Sequence, residues 1–202
     1  MEYVTRVDAH SMDLRGATAQ PCPADFVGGL LAGLPQGEPR IVTGIAAGPV
    51  RVKVQRQETA PAAVATEWED IVEVSCIAVE ADVVAAGQYD AAPDPQFALN
   101  PPGATWFRLR VHARGRDLEY DGVATEPREE YLLVAWPAAP STPTVLGEAS
   151  RTARQFMAAP GRPLSTGSPT GARVTHRGES TADAQRRAQA QANLLRIDRQ
   201  ER

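Results

Sequence analysis

Apolar and polar residues alternate through most of the chain from residue 1 to about 137, and this period of two predicts β-strands. The clearest strand spans 50–55, where three valines alternate with arginine, lysine and glutamine. Two more alternating strands are predicted at 68–76 and 107–112. The run 131–136 is apolar throughout, which is typical of a central strand covered on both faces. These segments predict a protein built mainly from β-sheet.

Weaker patterns fill the gaps between these segments. Further strands are predicted at 3–8, 40–45 and 79–84. Inside this region only 25–34 has a helical pattern, and its two adjacent glycines make that helix weak. The strict alternation also predicts which side chains face the core. We expect these inward-facing residues to include Val52, Val74, Leu109, Val111 and Leu133.

Half-buried strands that are separated by glycine and proline turns favour an all-β fold. We predict an antiparallel β-sandwich or barrel-like domain over 1–146, followed by a C-terminal helical extension. A short helix is expected at 147–160 and a flexible linker rich in proline, serine, threonine and glycine at 161–179. An arginine- and alanine-rich helix at 180–202 completes the predicted organisation.

Composition places the chain among ordinary folded proteins. It has 202 residues, of which 43% are hydrophobic and 23% charged. It has no run of eighteen apolar residues, so a membrane-spanning helix is not expected. The N-terminus lacks the apolar core of a secretory signal, and two cysteines do not suggest a disulfide scaffold. We therefore predict a cytoplasmic protein that does not bind a membrane.

Charge is distributed unevenly along the chain. The segment 57–107 contains nine acids and no lysine, arginine or histidine, whereas the segment 147–202 contains ten arginines and five acids. One interpretation is a solvated acidic face on which the tail folds back. The other is that one of these regions meets a charged partner, because such fields steer association.

The second interpretation identifies candidate partner-binding residues in both regions. The partner would be another protein. Nucleic acid is not expected to bind the β domain, and the arginine-rich tail makes only a weak case for it. The candidates are the acids of one predicted strand, together with the basic and apolar residues of the C-terminal helix: Glu67, Glu69, Asp70, Glu73, Arg186, Arg187, Leu194 and Leu195.

Motifs that would carry catalysis are not found in the sequence. No glycine-rich phosphate loop and no Gly-x-Ser-x-Gly turn occurs, and the three histidines have no metal-ligand spacing. The abundant carboxylates lack the alternating Asp/Asn pattern of a calcium loop. We therefore predict no catalytic residues, no metal and no cofactor, and we expect a protein that is not an enzyme.

One strand presents a cationic stripe. Arg108, Arg110 and His112 share the polar face of the strand at 107–112. They could hold a carboxylate or phosphate ligand, and this anion site would suit an enzyme or a ligand-binding protein. The alternatives are a solvated face, or pairing across strands with acids such as Glu73.

Three blocks in a fixed order resemble a family of uncharacterised actinobacterial proteins. The first block is T-E-W-E-D-I-V-E-V-S at 66–75. The second is the Pro-Pro-Gly turn at 101–103 followed by R-L-R-V-H-A-R-G-R-D at 108–117. The third is E-E-Y-L-L-V-A-W-P-A-A-P at 129–140. The resemblance covers about residues 40–150 and implies a β-sandwich, but the family has no function that could be carried over.

A more distant resemblance is to the competence protein J family, which inhibits a DNA-entry nuclease. The shared pattern is an acidic strand, a proline-glycine turn into an alternating strand, and an acidic turn into a tyrosine-led apolar strand. This chain departs from it at 100–103, where Asn-Pro-Pro-Gly replaces a leucine-containing turn, and it continues well beyond residue 150. The resemblance implies a non-enzymatic β-sandwich that binds a protein.

The leading hypothesis is therefore a non-enzymatic protein-interaction module of inhibitor or immunity type that masks a basic partner. The alternative is a structural or accessory subunit of a larger assembly that docks through its arginine-rich C-terminal helix. Association with a native partner, with and without residues 147–202, would distinguish the two.

Overall fold

Two β-sheets and one short helix make up the part of the chain that the computed structural model describes, which is residues 1–20, 22, 25–64 and 66–158. Two single-turn 3-10 helices lie at Leu34–Gln36 and Pro95–Phe97, and the helix α1 spans Arg151–Ala158. The strands are β1 Glu2–Val7, β2 Ser11–Arg15, β3 Ala17–Ala19, β4 Phe26–Val27, β5 Leu31–Ala32, β6 Arg40–Val42, β7 Gly48–Arg56, β8 Asp70–Ala78, β9 Val84–Gly87, β10 Trp106–Arg114, β11 Glu130–Pro137 and β12 Thr144–Glu148.

The larger sheet, called the first sheet below, has the strand order β1-β7-β11-β10-β8-β12. In addition, β3 pairs with the C-terminal end of β8. The second sheet has the order β4-β5-β6-β2-β9. All pairs are antiparallel except β7 with β11. The prediction of a mostly β protein is confirmed, and the one parallel pair arises because β8, β9 and β10 intervene in the chain between β7 and β11.

The two sheets share one hydrophobic core. The five residues predicted to face inwards, Val52, Val74, Leu109, Val111 and Leu133, are all buried, which confirms the strand faces read from the alternation. Apolar side chains of the second sheet, among them those of β2 and β6, belong to the same cluster. The central strands of the first sheet therefore have one face in the core, and their polar face carries the charged residues.

Side chains connect the outer strands of the two sheets. The hydroxyl of Tyr3, in β1, donates a hydrogen bond to the carbonyl of Ala85, in β9. The backbone N–H of Gly87 donates to Oγ1 of Thr5 at 3.1 Å. On the other side, β2 and β3 are separated only by Gly16 and pair with different sheets.

The helix predicted at 25–34 is wrong. This segment contains the strands β4 and β5, which form a hairpin around Gly28 and Gly29. Both glycines have positive φ, 55° and 57°, and the N–H of Leu30 donates to the carbonyl of Val27. The adjacent glycines that weakened the helical pattern are thus the residues that allow the turn.

The boundary between strand and helix near residue 147 also differs from the prediction. Residues 147 and 148 belong to β12, and α1 begins only at Arg151. Ser150 precedes the helix, and its Oγ accepts a hydrogen bond from the N–H of Ala153 at 2.9 Å. Asp117, from the loop after β10, accepts hydrogen bonds from the N–H groups of Arg151 and Thr152, both at 2.8 Å. These contacts satisfy the exposed N–H groups of the first turn and set where the helix starts.

The predicted linker at 161–179 and the predicted helix at 180–202 lie outside the described residues. The candidate residues Arg186, Arg187, Leu194 and Leu195 lie there too. Within the described part, no helix is long and apolar enough to cross a membrane.

Candidate functional site

The polar face of β8 and β10 brings together four of the residues that the sequence singled out, Glu73, Arg108, Arg110 and His112. The two strands pair antiparallel, and their register places Arg110 opposite Glu73 and Arg108 opposite Ser75. His112, two residues beyond Arg110 on the same face of β10, lies opposite Ile71. The acidic strand and the cationic stripe are therefore neighbours on one surface of the first sheet.

Glu73 pairs with both arginines of the stripe. One of its carboxylate oxygens lies 3.3 Å from Nε of Arg108, and the other lies 2.7 Å from Nε of Arg110. The two arginine side chains are only 5% and 8% exposed. The alternative of cross-strand pairing with Glu73 is confirmed, and these two arginines do not form an open anion site. Glu73 is half-buried, and its side chain is 14% exposed.

Other donors of both arginines make hydrogen bonds inside the fold. Arg108 donates to the carbonyls of Ser141 at 3.0 Å and Thr142 at 2.9 Å. Arg110 donates to the carbonyl of Ala63 at 3.0 Å, and its guanidinium lies 5.6 Å from the centre of the Trp136 ring. The chain segments that supply these carbonyls connect β7 to β8 and β11 to β12. They cover the stripe, so the arginines stabilise the packing of these two connections on the sheet.

His112 differs from its neighbours because burial lowers the pKa of its imidazole. Its Nδ1 lies 3.0 Å from the carbonyl oxygen of Leu132, and the ring lies 5.6 Å from that of Trp68. A carbonyl oxygen can only accept, so Nδ1 carries the proton and donates. His112 is therefore a neutral donor at pH 7 and does not add positive charge to the stripe.

Asp70 was predicted to bind a partner, and this prediction is wrong. Its side chain and that of Arg116 are both 0% exposed, and Oδ2 of Asp70 lies 2.7 Å from Nη1 of Arg116. The same carboxylate accepts hydrogen bonds from the backbone N–H groups of Ala149 and Ser150. A buried charge needs such partners, and here they join β8, the loop after β10 and the start of α1.

The two other acids of the predicted partner-binding strand are closer to solvent. Glu67 is exposed and precedes β8. Glu69 is half-buried, and its carboxylate accepts a hydrogen bond from the N–H of Gly115 at 3.0 Å. Of the four acids proposed for this strand, Glu67 is thus the one with a freely exposed side chain.

A buried carboxylate that the sequence did not distinguish lies under the loop at 43–47. Glu129 accepts hydrogen bonds from the N–H groups of Gly44 at 3.1 Å and Ile45 at 2.6 Å, and from the hydroxyl of Tyr131. Burial raises the pKa of Glu129. The sequence shows only two adjacent acids before an apolar strand, and nothing in that pattern indicates which of them points inwards.

His10 and Asp121 form a surface pair that the sequence also did not indicate. Nε2 of His10 lies 2.9 Å from Oδ1 of Asp121, and its Nδ1 lies 3.3 Å from the carbonyl oxygen of Thr43. Both residues have positive φ, 58° and 59°, which is uncommon without glycine. Each ring nitrogen faces an acceptor, so this arrangement holds two turns together.

Exposed acids of the base-free segment gather at one end of the first sheet, here called the acidic end and defined by Glu58, Glu80 and Asp82. Glu58 follows β7, and the other two follow β8. The registers of β7 with β11, β11 with β10 and β10 with β8 show that β7 and β8 end on the same side. The strands β7 and β8 are three strand spacings apart in this sheet, which is about 14 Å. None of the three acids has a basic side chain within ion-pair distance in the described part of the chain.

Metal ligation finds no support in the described residues, where no group of three or more histidine, cysteine, aspartate or glutamate side chains could hold an ion. No family model matches the chain, and no curated protein matches it. Among solved structures it is similar to one titled "Crocagin biosynthetic gene J", with 14% identity and a TM-score of 0.37. That likeness covers 68% of this chain and 96% of the other. At so low a TM-score it carries no assignment of fold or function.

Proposed function

We propose that this chain is a non-enzymatic protein-interaction module built on a β-sandwich, of inhibitor or immunity type, which masks a cationic surface of a partner protein. The observation that carries the proposal is the acidic end, where exposed carboxylates have no ion-pair partner within the described residues. Arg56 is exposed and ends β7 beside this group, so the acidic end together with Arg56 carries two net negative charges. A cationic partner relieves the repulsion between them.

The polar groups of the candidate site support binding rather than chemistry. The arginines of the stripe are held by Glu73 and by backbone carbonyls, and His112 donates to a carbonyl. These groups stabilise a rigid sheet that holds the acidic end in place. The resemblance to the competence protein J family supports a protein-binding sandwich, and the resemblance to the uncharacterised actinobacterial family supports the sandwich alone. A cytoplasmic location is part of the same proposal.

Charge reversal tests the proposal. Glu58→Lys, Glu80→Lys and Asp82→Lys are combined in the full-length chain. The matched control reverses three exposed acids elsewhere, Asp25, Glu126 and Glu148, so that the net charge is the same. Proteins retained from a native lysate are identified, and the purified partner is then titrated at low and high salt.

We expect the reversal at the acidic end to slow association and to flatten its salt dependence, because exposed charges act mainly through steering. The control reversal should change both much less. A partner that associates with the triple variant at the wild-type rate in low salt contradicts the proposal. A partner that is lost only when residues 159–202 are deleted favours the accessory-subunit alternative instead.

A further inference from the structure

The connection from β7 to β8 crosses two strands of the first sheet. β7 and β8 run in the same direction and are separated by β11 and β10, so residues 57–69 must pass over both intervening strands. Such crossovers are usually helical, but the described residues of this one form neither helix nor strand. Irregular loops of about this length are uncommon in compact domains, and many of them act as lids or binding loops.

A contact of Arg110 shows that the connection crosses the polar face of the sheet. Nη1 of Arg110 donates to the carbonyl of Ala63 at 3.0 Å. The register of β10 with β11 places Val134 directly opposite Arg110, and residues paired in this way share a face. Val134 is 3% exposed, although it does not belong to the core cluster between the sheets. The connection that Arg110 holds accounts for this burial.

Val134 is the middle of an apolar strip on the polar face. Leu132, Val134 and Trp136 alternate along β11, so their side chains point to the same side. Leu132 is half-buried, and Trp136 is 5% exposed with its ring centre 5.6 Å from the guanidinium of Arg110. Without a cover, this strip would present contiguous apolar surface to solvent.

Both ends of the connection are fixed to the sheet. The N–H of Gln57 donates to the carbonyl of Ala135 at 2.8 Å, next to the end of β7. The N–H of Glu69 donates to the carbonyl of Ala113 at 3.0 Å, next to the start of β8. These backbone bonds continue the sheet, so the part of the connection that can move lies between them.

The middle of the connection is held by few contacts. For residues 58–64, the hydrogen bond from Arg110 to Ala63 is the one hydrogen bond or ion pair that the described residues show. The side chains of this segment are exposed except for the half-buried Pro61, and Val64 is 40% exposed. Segments with few buried contacts and few hydrogen bonds open locally at a much lower free energy than the fold as a whole.

We propose that residues 58–64 form a displaceable strap, which lifts from β10 and β11 between its fixed ends and exposes Val134 and the apolar strip while the two sheets stay folded. In the closed state the strap itself covers the strip, and Arg110 holds its middle. The inference goes beyond the proposed function and does not depend on it. Because Glu58 belongs to the strap, opening also moves one carboxylate of the acidic end.

Thiol labelling of the folded chain tests the strap. Val134→Cys is combined with Cys22→Ser in the full-length chain, and Cys76, which is 0% exposed in the core, is the internal control. Each rate is divided by the rate of the same thiol in the urea-unfolded chain. We expect the thiol at position 134 to react at least about tenfold faster than Cys76, because local opening is cheaper than unfolding. Its rate should depend little on low urea, because local opening exposes little surface.

Two outcomes would overturn the proposal. Equal rates at position 134 and at Cys76, with the same dependence on urea, would show that Val134 becomes accessible only when the whole fold opens. A rate at position 134 equal to that of the unfolded chain, with Cys76 still protected, would show that residues 58–64 do not cover it. The substitution itself lies outside the core cluster, so the protection of Cys76 reports whether the fold is intact.

A matched pair of arginine variants then tests the role of Arg110. Arg110→Lys keeps a positive charge opposite Glu73, but a single nitrogen cannot take the positions of both Nε and Nη1, so the contact with Ala63 is lost. Arg108→Lys makes the same change in the arginine that contacts the other connection, 138–143.

The quantity compared is the labelling rate at position 134 divided by that of Cys76, which corrects for changes in global stability. Arg110→Lys should raise this ratio about fivefold, the effect of one lost hydrogen bond, and Arg108→Lys should change it by less than about twofold. A ratio that rises equally in both variants, or in neither, would show that Arg110 does not hold the strap and would overturn the proposal.

Discussion

Asp70 and Arg116 form the most deeply buried ion pair of the described residues, and each makes further hydrogen bonds. Asp70 also accepts from the N–H groups of Ala149 and Ser150, and Arg116 also donates to the carbonyl of Gly29. Removal of one partner from such a pair typically costs about 3–5 kcal/mol, because the other charge remains buried. The pair therefore couples β8, the β4–β5 hairpin and α1 at one point.

His112 makes the stability of the domain depend on pH. Burial lowers the pKa of this residue in the folded chain, whereas in the unfolded chain it is about 6.5. As the pH falls below about 6.5, the unfolded state binds a proton that the folded state does not, so the free energy of unfolding decreases. In His112→Asn the side-chain amide can still donate to Leu132, but it does not titrate.

The measurement is urea denaturation at several pH values between about 5 and 7.5, a window set by the ordinary histidine pKa of about 6.5. We expect the difference in unfolding free energy across this window to be smaller in His112→Asn than in the wild type, even if the variant is less stable at every pH. Parallel curves for the two proteins would show that His112 does not titrate on unfolding.

Residue faces could be predicted from the sequence, whereas residue partners could be predicted only between neighbouring strands. Alternation placed Asp70 on the same face as Val72 and Val74, and that position on an apolar face was a signal of a buried charge. Its partner Arg116 lies far along the chain and belongs to a loop, so no local pattern connects the two. Glu73 was proposed as a cross-strand partner of the stripe because antiparallel neighbours were expected, and the register confirms it.

At the scale of elements, the β4–β5 hairpin can contact α1 because Gly29 has no side chain. A Cβ at Gly29 would lie 2.2 Å from the carbonyl oxygen of Ala153 in α1. Gly103 provides a matched control, since its φ is also positive, at 73°, and a Cβ there would have no heavy atom within 4 Å.

Gly103→Ala should cost about 1 kcal/mol, the strain of a left-handed backbone with a side chain. Gly29→Ala should cost about 3 kcal/mol, because the hairpin and the helix must also separate. Urea denaturation of both variants measures the difference. Equal losses would mean that the contact with α1 adjusts without cost.

The same hairpin shows why short elements escape prediction. Residues 25–34 are mostly apolar with a helix-like spacing, and their glycines, at 28, 29 and 33, oppose a helix. The long strands β7, β8, β10 and β11 were predicted because each repeats its period several times. A two-residue strand such as β4 has no period to detect, and its position depends on packing against other parts of the chain.

At the scale of the whole molecule, the described residues include the acidic end and the covered stripe, while most of the arginine excess of 147–202 lies beyond residue 158. The contacts of Ser150 and Asp117 attach α1 to the sheet, so the chain leaves the β region at a defined place.

Limited trypsin digestion tests whether the C-terminal part is needed for the fold. The predicted linker at 161–179 contains arginines at 162, 173 and 177 and has few residues to bury. Arg162 precedes a proline, where trypsin cuts poorly, so we expect cleavage after Arg173 or Arg177 and a stable fragment of about the first 173–177 residues, because exposed segments without packing are cut first. The arginines at 108, 110 and 116 are buried and should resist while the chain is folded.

Digestion in urea provides the control, since protection that comes from the fold must disappear when the chain unfolds. The fragment should also show the same cooperative melting as the full-length protein, because the core of the two sheets lies entirely within it. If the linker instead resists trypsin as long as the β region does, the C-terminal part is packed within the molecule. The arginine-rich helix would then be unavailable for docking, and the accessory-subunit alternative would lose its main support.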